Sequence, residues 1–109
     1  MAYATPDELA AEMRIRVTPA NTQALADCLD AAAREIDDAV DRADPITAAQ
    51  DLALAKRVNL LRGEQWFKAN DAAFGAVGMD TTGVLQAPSS SFARLAATLQ
   101  PLKQGFGVA

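Results

Sequence analysis

The sequence predicts a mainly α protein: a small bundle of about four helices with a short β-hairpin between the last two. Three observations point there. Half of the 109 residues are hydrophobic, much of that half is alanine, and only six are aromatic, a composition that favours closely packed helices over strands. Apolar residues recur at steps of three and four along residues 19–42. The exception is a glycine-punctuated stretch, Phe74-Gly75-Ala76-Val77-Gly78-Met79-Asp80-Thr81-Thr82-Gly83, where helical spacing stops. One chain of this length supports one domain with one core, so residues 1–109 are read as a single domain.

The first helix is expected over residues 6–13. Thr5 suits the cap, Pro6 the first helical position, and Glu8 completes a capping box. Leu9 and Met13 face inward, and residues 14–17 read as an extended connector. Thr18-Pro19 repeats the start signal and opens a helix over residues 19–42. Leu25, Cys28, Leu29, Ala32, Ile36, Ala39 and Val40 form its apolar stripe. On the opposite face Asp30, Arg34, Asp38 and Arg42 follow at steps of four, the spacing of a ladder of weak ion pairs. That ladder is either a solvated face or a strip of inter-subunit charge contacts.

Asp44-Pro45 breaks the chain. Thr47 with Gln50 reads as a second capping box opening a third helix over residues 48–69. Val58, Leu60, Leu61, Trp66 and Phe67 cover more than one side of it, so it is expected at the centre of the bundle. Gly63 in mid-helix sacrifices about 1 kcal/mol of propensity and marks a close approach of another helix. Arg57, Arg62 and Lys68 suit the negative end of the helix dipole. After Asn70-Asp71, residues 74–87 read as a hairpin or an irregular loop turning through Asp80-Thr81-Thr82-Gly83. A last helix is expected over residues 91–100, with Phe92, Leu95, Ala96 and Leu99 inward, ended or kinked by Pro101. The tail, residues 102–109, carries Leu102, Phe106 and Val108 and is either a docking peptide or a frayed end.

Catalytic and metal chemistry finds little purchase. There is no histidine, and Cys28 is the lone cysteine, on an apolar face without a base beside it. Asp37, Asp38, Asp41 and Asp44 lack the glycine-centred loop of a calcium site. Gly75-Ala76-Val77-Gly78 has no Lys-Ser/Thr behind it and is not a phosphate loop. No enzyme activity and no cofactor are expected. The net charge of −4 disfavours nonspecific phosphate binding, and a DNA-reading helix would need a cluster of Asn, Gln and Arg that is missing. Residues 1–44 hold ten acids and four bases, whereas residues 45–109 hold four acids and six bases. Such a split suits head-to-tail pairing of identical subunits. No apolar run reaches membrane-spanning length, and residues 1–9 lack the features of a signal peptide, so synthesis in a cytosol without membrane association is expected.

The pattern Arg57-Val58-x-Leu60-Leu61-Arg62-x-Glu64-x-Trp66-x-Lys68-x-x-Asp71-x-x-Phe74-Gly75-x-Val77-Gly78-Met79-Asp80-x-x-Gly83 resembles the middle of the head–tail connector (head-to-tail adaptor) proteins of tailed bacteriophages. Tyr3-Ala4-Thr5 before a short acidic helix is similar to the start of that family. Leu95-Ala96-Ala97-x-Leu99-x-Pro101-Leu102-Lys103-x-Gly105 is similar to its C-terminal segment, except that Leu102 and Gln104 stand where an aromatic and a second base are expected. The resemblance implies a structural virion protein in the neck, made in the host cytoplasm. It implies a homo-oligomeric ring, usually dodecameric, between the portal protein and the next tail-side adaptor, stopper or tail-terminator. Genomic DNA would pass through without sequence-specific binding. Trp66, Phe74, Gly75, Val77, Gly78, Met79, Leu102, Phe106 and Val108 are the candidate subunit or portal contacts. Asp30, Arg34, Asp38, Arg42, Arg57 and Arg62 are the candidate inter-subunit charges. The alternative is a small acidic helical interaction module, antitoxin-like, acting as a dimer.

Overall fold

A computed structural model describes residues 2–41, 46–70, 87–88 and 91–102. The protein is mainly helical. Four α-helices follow in order: α1 (Pro6–Met13), α2 (Thr22–Val40), α3 (Ala49–Ala69) and α4 (Ala93–Thr98), the last continued by a 3-10 turn, Gln100–Leu102. Among the described residues there is no strand. The expected hairpin over residues 74–87 lies, apart from Ala87, outside them.

The ends of the helices follow from local chemistry. Thr5 caps α1 as expected: its hydroxyl oxygen accepts from Glu8 N–H at 3.2 Å, and the Glu8 carboxylate accepts from Thr5 N–H at 2.9 Å. Arg14 closes α1 in the left-handed region (φ 59°). The second helix begins at Thr22 rather than at residue 19, because Thr18 and Asn21 close a turn of their own. Thr18 N–H donates to Asn21 Oδ1 at 2.8 Å and Asn21 N–H donates to Thr18 Oγ1 at 3.2 Å. Pro19 and Ala20 are spent in that turn. At the other end Asp41 takes φ 52° and stops α2 before residue 42.

The second capping box does not form. Ala48, not Thr47, occupies the cap of α3, so no side-chain oxygen reaches the first-turn amides. The last helix is shorter than the expected 91–100 and passes into a 3-10 turn that contains Pro101. Three residues per turn bring Leu99 and Leu102 onto one side, and both are buried. Leu102 is therefore a core residue, not the start of a free docking tail.

Helices α2 and α3 pack antiparallel. Leu29 lies against Gly63, whereas Ile36 and Val40 share a cluster with Ala55 and Val58. That cluster is completed by Leu99 and Leu102. A second cluster joins Ala4, Leu9, Ala10, Leu25 and Leu29, with Leu60 and Phe67 against it. Helix α3 thus touches α1, α2 and α4, the central position its two apolar sides predict. Its buried residues, however, are Ala55, Val58, Asn59, Arg62 and Gly63. Leu60, Leu61, Trp66 and Phe67 are only partly buried.

Gly63 meets two helices at once. A Cβ built there lies 3.0 Å from Leu29 Cδ2 and 3.5 Å from Leu9 Cδ2. Gly63→Val adds two further methyls to this space. It is expected to lower the unfolding free energy by about 1–3 kcal/mol, as overpacking does, despite the better helix propensity of valine. Urea denaturation followed by Trp66 fluorescence measures it, and an unchanged midpoint would refute the close contact.

Candidate functional site

The described candidates divide into internal and surface residues. Arg62 is internal. It is 3% exposed, and its guanidinium forks onto the Glu35 carboxylate, Nε to Oε1 at 2.8 Å and Nη2 to Oε2 at 2.9 Å. Nη1 donates to Gln65 Oε1 at 2.6 Å, and the guanidinium carbon lies 5.3 Å from the centre of the Phe92 ring. One side chain on α3 thereby binds α2 and the start of α4. Arg62 consequently cannot serve as a surface cation reaching another subunit.

Trp66, half-buried, joins the same cluster: its indole N–H donates to Glu35 Oε1 at 2.8 Å. Asn70 donates from Nδ2 to the Trp66 carbonyl at 2.8 Å, closing the end of α3. Burial pushes the Glu35 carboxyl up, but the hydrogen bonds from Arg62 and Trp66 and the Arg62 charge outweigh it, so the group sits below the ordinary glutamate value. The C-terminal end of α3 is thus fixed to α2 by a polar network.

Arg57 is exposed and pairs with Glu12 of α1 at 3.0 Å. Lys56, one residue earlier, pairs with Glu8. The Lys56 hydrogen bond, with that of the Thr5 backbone, holds Glu8 below its ordinary pKa. Asp30, Arg34 and Asp38 are exposed, and among the described residues no salt bridge joins them, so the expected ladder of ion pairs is absent from this stretch of α2. Helix spacing brings such pairs near each other, yet nothing holds long solvated side chains together. Arg42, Phe74, Gly75, Val77, Gly78, Met79, Phe106 and Val108 lie outside the described residues.

Asn59 is the residue that sequence reasoning missed. It is fully buried at the centre of α3. Its Oδ1 accepts from the backbone N–H groups of Tyr3 (2.8 Å) and Ala4 (2.9 Å), and its Nδ2 donates to the Leu29 carbonyl (3.0 Å). The side chain therefore ties the N-terminal residues to α2 and α3 at once. Tyr3 also donates its hydroxyl to Asp37 Oδ1. The available signal was an asparagine flanked by Val58, Leu60 and Leu61, a polar residue in the most apolar run of the helix.

Tyr3, so held, forms one wall of a groove of about 630 Å³. Ile46, Ala49, Leu52 and Ala53 supply apolar walls, and Asp37 and Lys56 add charged ones. Leu52 is 39% exposed there. Cys28 is buried, and desolvation pushes its thiol up to about 12, which leaves it an inert core side chain. Among the described residues no cluster of three or more His, Cys, Asp or Glu is placed to hold a metal, and no helix is long and apolar enough to cross a membrane.

No protein-family model, curated protein or solved structure matches this chain.

Proposed function

We propose that this chain is the structural subunit of a head–tail connector ring in a tailed bacteriophage. One observation carries the reading. The residues of the connector-like pattern from Arg57 to Lys68 lie on one continuous central helix, and the Arg62–Glu35–Trp66 network anchors the end of that helix. The glycine-rich stretch that follows in sequence, residues 74–83, is assigned to contacts with neighbouring subunits. Residues 104–109 are assigned to docking on the portal or on an adjacent subunit. The apolar groove beside Tyr3 and the split of charge between the two halves of the chain suit an assembly part. DNA traverses the ring without being read, in keeping with a net negative subunit.

Electron microscopy of the purified protein, alone and mixed with candidate portal proteins, tests the proposal. Closed rings of many copies are expected with the right portal. Deletion of residues 104–109 is expected to abolish that assembly while leaving the helical circular dichroism spectrum and the urea midpoint unchanged. Assembly by the truncated chain at the level of the intact one would overturn the role of the tail. A dimer that ignores every portal offered would favour the acidic interaction module instead.

A further inference from the structure

The large apolar side chains left most open among the described residues are Ile15 and Leu52, each 39% exposed. Their surroundings are opposite in charge. Ile15 stands between Arg14 and Arg16, both exposed, in the segment that follows α1. Arg14 is held outside the helix by its left-handed backbone, and among the described residues neither arginine makes a salt bridge. Arg14-Ile15-Arg16 is thus an exposed segment, the knob, in which one apolar side chain is flanked along the chain by two cations. Leu52 lies in the groove with Tyr3, Ile46, Ala49 and Ala53, and Asp37 also lines it. Asp38 and Asp41 are exposed on the same end of α2, and Lys56 in the groove is already paired with Glu8.

Knob and groove are built on different segments. Ile15 precedes the Thr18–Asn21 turn that leads into the start of α2, whereas the groove is built on the end of α2 and the start of α3. Ala2 and Tyr3 of the groove precede α1 and Ile15 follows it, so the eight residues of α1, roughly 12 Å at the usual rise, lie between them. One chain therefore presents two unlike apolar surfaces that complement each other in charge. A contact between them is heterologous and propagates, closing into a ring when the rotation between copies allows.

We infer that the groove receives the Arg14-Ile15-Arg16 knob of a second copy of this chain, Ile15 entering beside Leu52 and the two arginines facing the acidic end of α2. The inference deepens the connector reading and rests on it for the closure of the ring. It does not rest on it for the contact itself.

Oxidative cross-linking of the full chain tests the contact. Single variants Ile15→Cys and Leu52→Cys are mixed and oxidised; Cys28, 0% exposed, stays out of the reaction. The crossed Ile15→Cys/Leu52→Cys dimer is expected to exceed either same-site dimer several-fold, and the double variant to give a ladder of multimers. Arg14→Glu with Arg16→Glu in the Ile15→Cys background should cut the crossed product about tenfold, and raising the salt concentration should cut it too. A crossed yield no greater than that obtained with a control cysteine at the exposed Asp7 overturns the inference, whatever the charge variants do. The same experiment separates the two proposals. Portal-bound rings that persist in Ile15→Asp would refute the knob while leaving the connector reading intact. Strong crossed dimers from a chain that forms no ring with any portal would support the knob and refute the connector.

Discussion

Asn59→Ala is expected to lose about 2–4 kcal/mol of unfolding free energy. The substitution strips the acceptor from two backbone N–H groups, those of Tyr3 and Ala4, the second of them buried, and removes the donor to the Leu29 carbonyl. A buried donor left without a partner costs about 1–3 kcal/mol, against the smaller net gain of making the bond. The space left by a side chain with no exposure adds to it. In urea the midpoint should fall while the slope stays constant. Hydrogen exchange makes the result specific: the Tyr3 and Ala4 amides should lose protection by more than the global destabilisation accounts for. An Asn59→Ala protein within 0.5 kcal/mol of the parent would mean that water replaces the side chain and that the clamp contributes little; that threshold is about the scatter of ordinary surface substitutions.

Asn59→Asp distinguishes the hydrogen bonds from the packing. It keeps the size of the side chain but sets an ionised oxygen against the Leu29 carbonyl in a buried site, so it should be worse than alanine at neutral pH. A further effect reaches the groove. With its clamp gone, Tyr3 no longer forms a fixed wall beside Leu52. Crossed dimers between Ile15→Cys and Leu52→Cys chains should weaken in the Asn59→Ala background even under conditions where the helices remain folded.

The helices were legible because their signals are local. The Thr5–Glu8 box and the three-and-four spacing of the stripe from Leu25 to Val40 are read within a few residues, and each describes what the structure contains. The errors arise where two local signals compete or where the partner lies far along the chain. Thr18-Pro19 looks like a cap followed by a first turn, but Asn21 offers Thr18 a reciprocal pair of hydrogen bonds, and the helix waits until Thr22. Thr47 lost the cap to Ala48 by a single residue.

The interior of the site was hidden for a different reason. Arg62 looks like a cation on the second half of a helix, and only its partner on α2, 27 positions away in sequence, makes it internal. Nothing local in Arg34-Glu35-Ile36 marks Glu35 as that partner. Asn59 is harder still, because its partners Tyr3 and Ala4 are backbone groups and carry no side-chain signature. The place of Leu102 in one cluster with Ile36, Val40, Ala55 and Val58 required knowing how the last helix packs on the others.

The Glu35–Arg62 pair should be lopsided when it is taken apart. Arg62 is 4% exposed in its side chain and Glu35 28%. Removing the carboxylate by Glu35→Leu takes from a buried guanidinium the group it forks onto, which is expected to cost about 3 kcal/mol. Removing the cation by Arg62→Leu leaves a carboxylate that reaches water and keeps the Trp66 indole, so the loss should be nearer 1–2 kcal/mol. The double variant should recover most of the difference and lie within about 1 kcal/mol of the parent, because two apolar side chains neither need nor lack a partner. Acid sharpens the test. The folded Glu35 pKa is depressed, so its contribution is fully present above the ordinary glutamate value and is lost as pH falls through the depressed one. Urea midpoints measured from pH 6 down to pH 3 should therefore fall more in the parent than in Glu35→Gln, which has no proton to take up at that site. In Arg62→Leu the main force lowering Glu35 is gone and burial acts against little resistance, so its pKa moves up toward or past the ordinary value and its acid-induced loss of stability should be smaller than in the parent. Trp66, the only tryptophan, should report the same transition by a fluorescence change as its indole loses the carboxylate. Parallel acid profiles in the parent and Glu35→Gln would mean that the pair is solvated in solution, and that the end of α3 is held by Leu29, Gly63 and their apolar neighbours alone.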